Sequence, residues 1–109
     1  MSMGAASLEY KFLKLLTNYK VYKFSLTVGE SMECNVVTDL GNAATVLLIR
    51  NTSSQVCYLR LNSITSDRIS LLANDTISFN RNEIEVSKMY FVNDTSGAST
   101  CNLEILCIG

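Results

Sequence analysis

The stretch "AATVLLIRNTSSQVCYLRLN", residues 43–62, decides how the chain is to be read. Its first half, 43–51, is apolar at consecutive positions, the composition of a strand covered on both faces. "TSS" then breaks the run. In "QVCYLRLN" (55–62), Cys57, Leu59 and Leu61 alternate with Tyr58 and Arg60, a period of two that belongs to a strand wet on one side. A doubly covered strand beside a half-covered one requires two layers of sheet.

The same period runs outward in both directions. In "VYKFSLTV" (21–28), Tyr22, Phe24, Leu26 and Val28 oppose Lys23, Ser25 and Thr27. Short strands follow at "ECNVV" (33–37), "RISLL" (68–72), "TISFN" (76–80), "EIEVSKMYFVN" (83–93) and "CNLEILCI" (101–108). Turn residues recur roughly every ten positions. This spacing predicts an all-β fold: an antiparallel β-sandwich, jelly-roll-like, with about eight short strands. "VLLIRNTSSQVCYLRL" and "MYFVNDTSGASTCNLEIL" echo one another, each an apolar strand, an Asn, a Ser/Thr turn and a Cys-bearing strand. The echo predicts two hairpins with the same turn chemistry.

Before the alternation begins, "SLEYKFLKLLTNY" (7–19) places Leu8, Phe12, Leu15, Leu16 and Tyr19 at helical spacing, with Ser7 as N-cap and Lys11 and Lys14 off the stripe. The expected organisation is an N-terminal amphipathic segment over 1–19, with a short helix over 7–19 or, since "EYKF" also alternates, a strand, and a β-sandwich domain over 20–109. The helix packs on its own body or on a neighbouring copy, and the sequence leaves both open. The chain has 109 residues, enough for one domain with a modest core.

Charge excludes several partners. Residues 1–23 carry four lysines against one glutamate, and the rest carries five basic against nine acidic groups. Four lysines beside an acidic body do not make a nucleic-acid footprint, which needs a basic stripe with interleaved aromatics. "TVLLI" (45–49) is too short to span a bilayer, and the start has no signal-type apolar core. The chain is expected to be made in a cytosol and to stay soluble, without nucleic-acid or membrane partners.

The chain has four cysteines and no histidine. Cys34, Cys57, Cys101 and Cys107 form no C-x-x-C pair, and the last three alternate with leucine or isoleucine. Cys101 and Cys107 would stand about 20 Å apart along one strand, too far to bond to each other. Buried free thiols are expected. Without histidine, Ser-His-Asp and Cys-His arrangements are excluded, and no phosphate loop, dinucleotide fingerprint or EF-hand is present. Glu83 and Glu85 share a strand face, about 6 to 7 Å apart at Cα. Paired carboxylates serve glycosidases, but those place the pair across a sugar groove with aromatic platforms, and tryptophan is absent here. Ser87 and Lys88 point to opposite faces, so they form no dyad. The expectation is no catalytic, cofactor-binding or metal-binding residue and no enzyme activity. Three Asn-x-Ser/Thr sequons, at Asn51, Asn74 and Asn93, fall at turns.

The late strands change character along their length. Glu83, Glu85 and Ser87 give way to Met89 and Phe91 on one face, and Asn102 and Glu104 give way to Leu106 and Ile108. Surface that is greasy on both sides needs a cover. Leu8, Phe12, Leu15, Leu16, Met89, Phe91, Leu106 and Ile108 are therefore the candidate interface residues.

"VYKFSLTVGES", "VLLIRNTSSQVCYLRLN" and "SLLANDTISFNRNEIEVSKMYFVNDTSGAS" together resemble small β-sandwich virion proteins of tailed phages and related viruses, the head-decoration, spike and fibre-associated subunits. The likeness covers roughly residues 20–108. It implies a non-enzymatic subunit of a virion, made in a host cytoplasm, assembling as a homo-oligomer (a trimer or higher), with other virion proteins as further partners. The second expectation is a carbohydrate-binding sandwich, with Tyr58, Tyr90 and the polar loops as its platform.

Overall fold

The computed structural model describes residues 18–94 and 99–109. The alternating segments become eight strands: β1 (Tyr19–Leu26), β2 (Ser31–Asn35), β3 (Val46–Asn51), β4 (Cys57–Leu61), β5 (Ile69–Leu71), β6 (Thr76–Phe79), β7 (Lys88–Val92) and β8 (Cys101–Ile108). They form two four-stranded sheets, ordered β1-β8-β3-β6 and β2-β7-β4-β5. The antiparallel pairs β1–β8, β2–β7, β3–β6 and β4–β5 nest inside one another. The chain is thus one long double ribbon, folded at the β4–β5 turn and rolled up. Pairs β3–β8 and β4–β7 then join the coils of the ribbon into sheets. This is the jelly roll.

Side chains at alternate positions face between the sheets. Leu26, Leu47, Ile49, Cys57, Leu59, Leu71, Met89, Phe91, Leu103 and Ile105 fill that space at no more than 1% exposure. The Phe24 ring meets Phe91 edge to face, with centroids 5.4 Å apart. No metal-binding group of three or more His, Cys, Asp or Glu is present among the described residues. None of their helices is long and apolar enough to cross a membrane.

Tyr19, read as the last residue of the helical stripe, is instead the first of β1, and two further segments depart from their sequence reading. "ECNVV" ends as a strand at Asn35, and Val36–Leu40 forms a short helix, α1. The Asn35 side chain accepts from the Thr38 amide at 3.3 Å, and Gly41, at φ 94°, returns its N–H to the Val37 carbonyl at 2.9 Å. Those two local stops, an Asn cap and a left-handed Gly, outweigh the β preference of paired valines. Val36 and Leu40 turn inward to close one end of the roll.

The second departure lies in 83–93. Val86 and Met89 are both fully buried, three residues apart, which no continuous alternation permits. Val86 makes an isolated bridge to Ala44, and β7 begins only at Lys88. The phase change is held by Asn62, whose amide donates to the Glu85 carbonyl at 2.9 Å while its oxygen accepts from the Ser87 N–H at 2.7 Å.

The two echoing segments are not hairpins. β3 and β4 lie in different sheets, as do β7 and β8. What repeats is a buried asparagine at a crossover. The Asn51 amide donates to the carbonyls of Gln55, Leu71 and Leu72 at 2.7, 3.1 and 3.2 Å. The Asn93 amide donates to those of Leu26 and Ser99 at 3.0 and 2.8 Å. A chain that leaves one sheet for the other strands its carbonyls, and an amide on a short side chain satisfies them.

Candidate interaction surface

The outer face of the first sheet follows from its register. Tyr19 pairs with Ile108, Val21 with Leu106, Lys23 with Glu104 and Ser25 with Asn102. On the other side of β8, Val46 pairs with Ile108, Leu48 with Leu106 and Arg50 with Glu104. These positions alternate with the inward set, so they project away from the core. The face divides sharply along the strands. Where β1 begins and β8 ends, Tyr19, Val21, Val46, Leu48, Leu106 and Ile108 form a continuous apolar patch across three strands. Tyr19, Val21 and Leu48 are 45, 52 and 37% exposed, and Ile108, between Tyr19 and Val46, is 3% exposed.

A charged belt bounds the patch: Lys23 Nζ lies 3.9 Å from Glu104, with Arg50 on Glu104's far side. Beyond it the surface is polar. Ser25 Oγ donates to Asn102 Oδ1 at 2.5 Å beside an open hollow lined by Phe24, Thr52 and Leu103.

The outer face of the second sheet is different. Tyr58 pairs with Val92, and Arg60 with Tyr90, so the two tyrosines are diagonal neighbours on one face. Arg68 stacks its guanidinium 3.9 Å from the Tyr58 ring centre and holds Asp94 at 3.5 Å. Arg60 Nε donates to the Ser66 carbonyl at 2.9 Å, and Lys88 Nζ lies 3.9 Å from Glu33.

Leu8, Phe12, Leu15 and Leu16 lie outside the described residues. Met89 and Phe91 do not belong to an interface. At 0 and 1% exposure they sit between the sheets, because the phase change at Val86–Lys88 turns them inward. Leu106 and Ile108 do face outward from β8, the latter already buried. Sequence reasoning missed Tyr19, Val21, Val46 and Leu48 as members of the same patch. Its only signal was "TVLLI", apolar on both faces.

The expected carboxylate pair is not a pair on one strand. Glu83 lies in a turn, its Oε1 accepting from the Asn80 N–H, and Glu85 precedes the bridge at Val86. Both line an open hollow with Thr45, Asn82 and Ile84. Ser87 bonds Asn62 while Lys88 reaches toward Glu33.

All four cysteines are free and buried. Burial pushes the Cys34, Cys57 and Cys107 thiols up to about 12, aided at Cys34 by Asp39 and Glu33, at Cys57 by Cys101, and at Cys107 by Cys34 and Asp39. Burial also raises Cys101. Tyr22 donates to Asp39 at 2.5 Å, and burial and this carboxylate hold its hydroxyl protonated. These groups are poor nucleophiles, since reactivity requires thiolate.

No family model matches the chain, and no curated protein matches it. Among solved structures it is similar to a de novo designed double-stranded β-helix determined by solution NMR. The TM-score is 0.51 at 16% identity, with 79% of this chain and 95% of that one covered. The likeness supports the rolled two-sheet fold and extends no further, because folds of this kind host many functions.

Proposed function

We propose that this chain is a non-enzymatic assembly subunit that associates with copies of itself, of the type that decorates or builds a virion. The observation that carries the reading is the apolar patch on the first sheet, bounded by the Lys23–Glu104 belt. Adjoining exposed apolar side chains rimmed by charged residues are the kind of surface that marks an association site. The raised thiols and the turn-bound Glu83 fit a role without reactive chemistry. The virion part rests on the likeness of the strand and turn phrases quoted above. Light scattering on the purified full chain tests the reading: a discrete trimer or larger assembly is expected, and a single-chain mass at high concentration overturns it.

Tyr58 and Tyr90 on one outer face favour the second reading, a carbohydrate-binding module. Arg68 over the Tyr58 ring counts against it.

A further inference from the structure

We infer that Cys57 and Cys101 are a modification site: with a small-molecule disulfide such as oxidised glutathione as the oxidant, the two thiols close into one disulfide that ties the first sheet to the second.

Cys57 is the first residue of β4 and Cys101 the first of β8, so each follows directly on a crossover and the two belong to opposite sheets. Facing sheets ordinarily stand about 10 Å apart, whereas a disulfide needs Cα atoms roughly 4.4 to 6.8 Å apart. At this end of the roll the crossovers draw the layers together. Cys101 Sγ lies 3.4 Å from the Val56 carbonyl oxygen, on the peptide bond that leads into Cys57, and Ser99 Oγ donates to Gln55 Oε1 at 3.4 Å. The side chains of Cys57 and Cys101 are themselves hydrogen-bonded to one another. Both residues are fully buried, so close packing holds the thiols face to face. Every strand ladder lies within one sheet or the other. A bond from 57 to 101 adds the covalent tie between layers that the ladders do not provide.

The other two cysteines are the natural competitors. Cys107 stands about 20 Å from Cys101 along β8, so the two ends do not mix. The Asp39 carboxylate acts on both Cys34 and Cys107, and Glu33 on Cys34 as well, which disfavours the thiolate there. Exchange starts from a thiolate, and the neighbouring charge that acts on Cys57 is that of Cys101 itself. The thiolate of one cysteine attacks a sulfur of the small disulfide, breaks its S–S bond and expels one small thiolate. The second cysteine attacks the protein sulfur of the mixed disulfide and expels the other. The two cysteine protons end on the two small thiols, two protein sulfurs are oxidised, and the small disulfide takes up two electrons. Burial confines the exchange to the folding chain, or to moments when this end of the roll opens. Exposed Ser99 and Thr100 precede Cys101, which places it at the margin that opens.

The test refolds the full chain from denaturant with reduced or with oxidised glutathione. Intact mass after oxidation should show the loss of two hydrogens and no bound glutathione. Cleavage at arginine and glutamate puts the four cysteines on four different peptides, so a map of the unmodified sequence identifies the linkage without any variant. It should join the peptide of Cys57 to that of Cys101. The closed form should melt roughly 10 °C or more above the reduced form, since the bond closes a long loop, and a reductant should abolish the difference. Cys34→Ala with Cys107→Ala should keep the gain in Tm, and Cys101→Ala should lose it. A linkage through Cys34 or Cys107, a glutathione adduct as the end product, four thiols still free after refolding, or a closed form that melts below the reduced one overturns the assignment.

Discussion

Arg68 sits over Tyr58, its guanidinium carbon 3.9 Å from the ring centre, while one of its nitrogens reaches Asp94 at 3.5 Å. Arg68 thereby occupies one face of the Tyr58 ring. Arg68→Ala should cost only about 0.5–1 kcal/mol in urea unfolding, because the pair is near the surface. Glycan binding by the native chain, abolished by Tyr58→Ala, would restore the carbohydrate reading.

Phe91 separates core from interface. Its ring is 1% exposed and packed against Phe24. Phe91→Ala should lower stability by about 3–5 kcal/mol through lost burial and the cavity left behind. The oligomer mass of whatever remains folded should be unchanged, whereas Val21→Asp on the outward patch should reduce that mass at small cost to the fold. The opposite pattern in light scattering and denaturation would show that the two surfaces have been assigned the wrong way round.

Asn51 closes the crossover from β3 to β4. It is fully buried, donates to three carbonyls, and accepts from the Ser53 N–H and hydroxyl at 3.0 and 2.6 Å. Asn51→Ala strands those groups without water, and about 2–4 kcal/mol should be lost. Exposed Asn42, changed to Ala, is the comparison and should lose far less. Equal losses in thermal unfolding would mean that the buried network contributes little.

The thiols predict how stability varies with pH. Burial pushes Cys34, Cys57 and Cys107 up to about 12 from the ordinary 9.0. The folded state holds these protons where the unfolded chain releases them. Their contribution is therefore complete below pH 9 and is lost as pH rises through the window from 9 to 12. Each thiol should lower stability by about 1.4 kcal/mol per pH unit there. Cys107→Ala should make the decline shallower, and a thiol reagent at pH 8 should label the native protein only as it unfolds. Rapid stoichiometric labelling of the folded chain would contradict the burial.

Much of this molecule is written in nearest-neighbour pattern. Alternation at Cys57, Leu59 and Leu61, and at Cys101, Leu103, Ile105 and Cys107, places these side chains inside, and eight alternating runs become eight strands. A strand's two faces are set by its own backbone, so a period of two is legible without knowing its partners. The same logic failed at Met89 and Phe91. Their phase is reset by Asn62, more than twenty residues away, and no local pattern carries that information.

The amino-acid sequence by itself determined the strand count, the inward cysteines and the absence of histidine chemistry. Tertiary structure alone decided that β1 lies against β8, that β3 and β4 part company into different sheets, and that Tyr19, Val21, Val46, Leu48, Leu106 and Ile108 meet on one outer face. The physical reason is reach. Alternation is a property of adjacent residues, whereas a surface is assembled from strands some eighty residues apart, and only the rolling of the ribbon brings their outward side chains side by side.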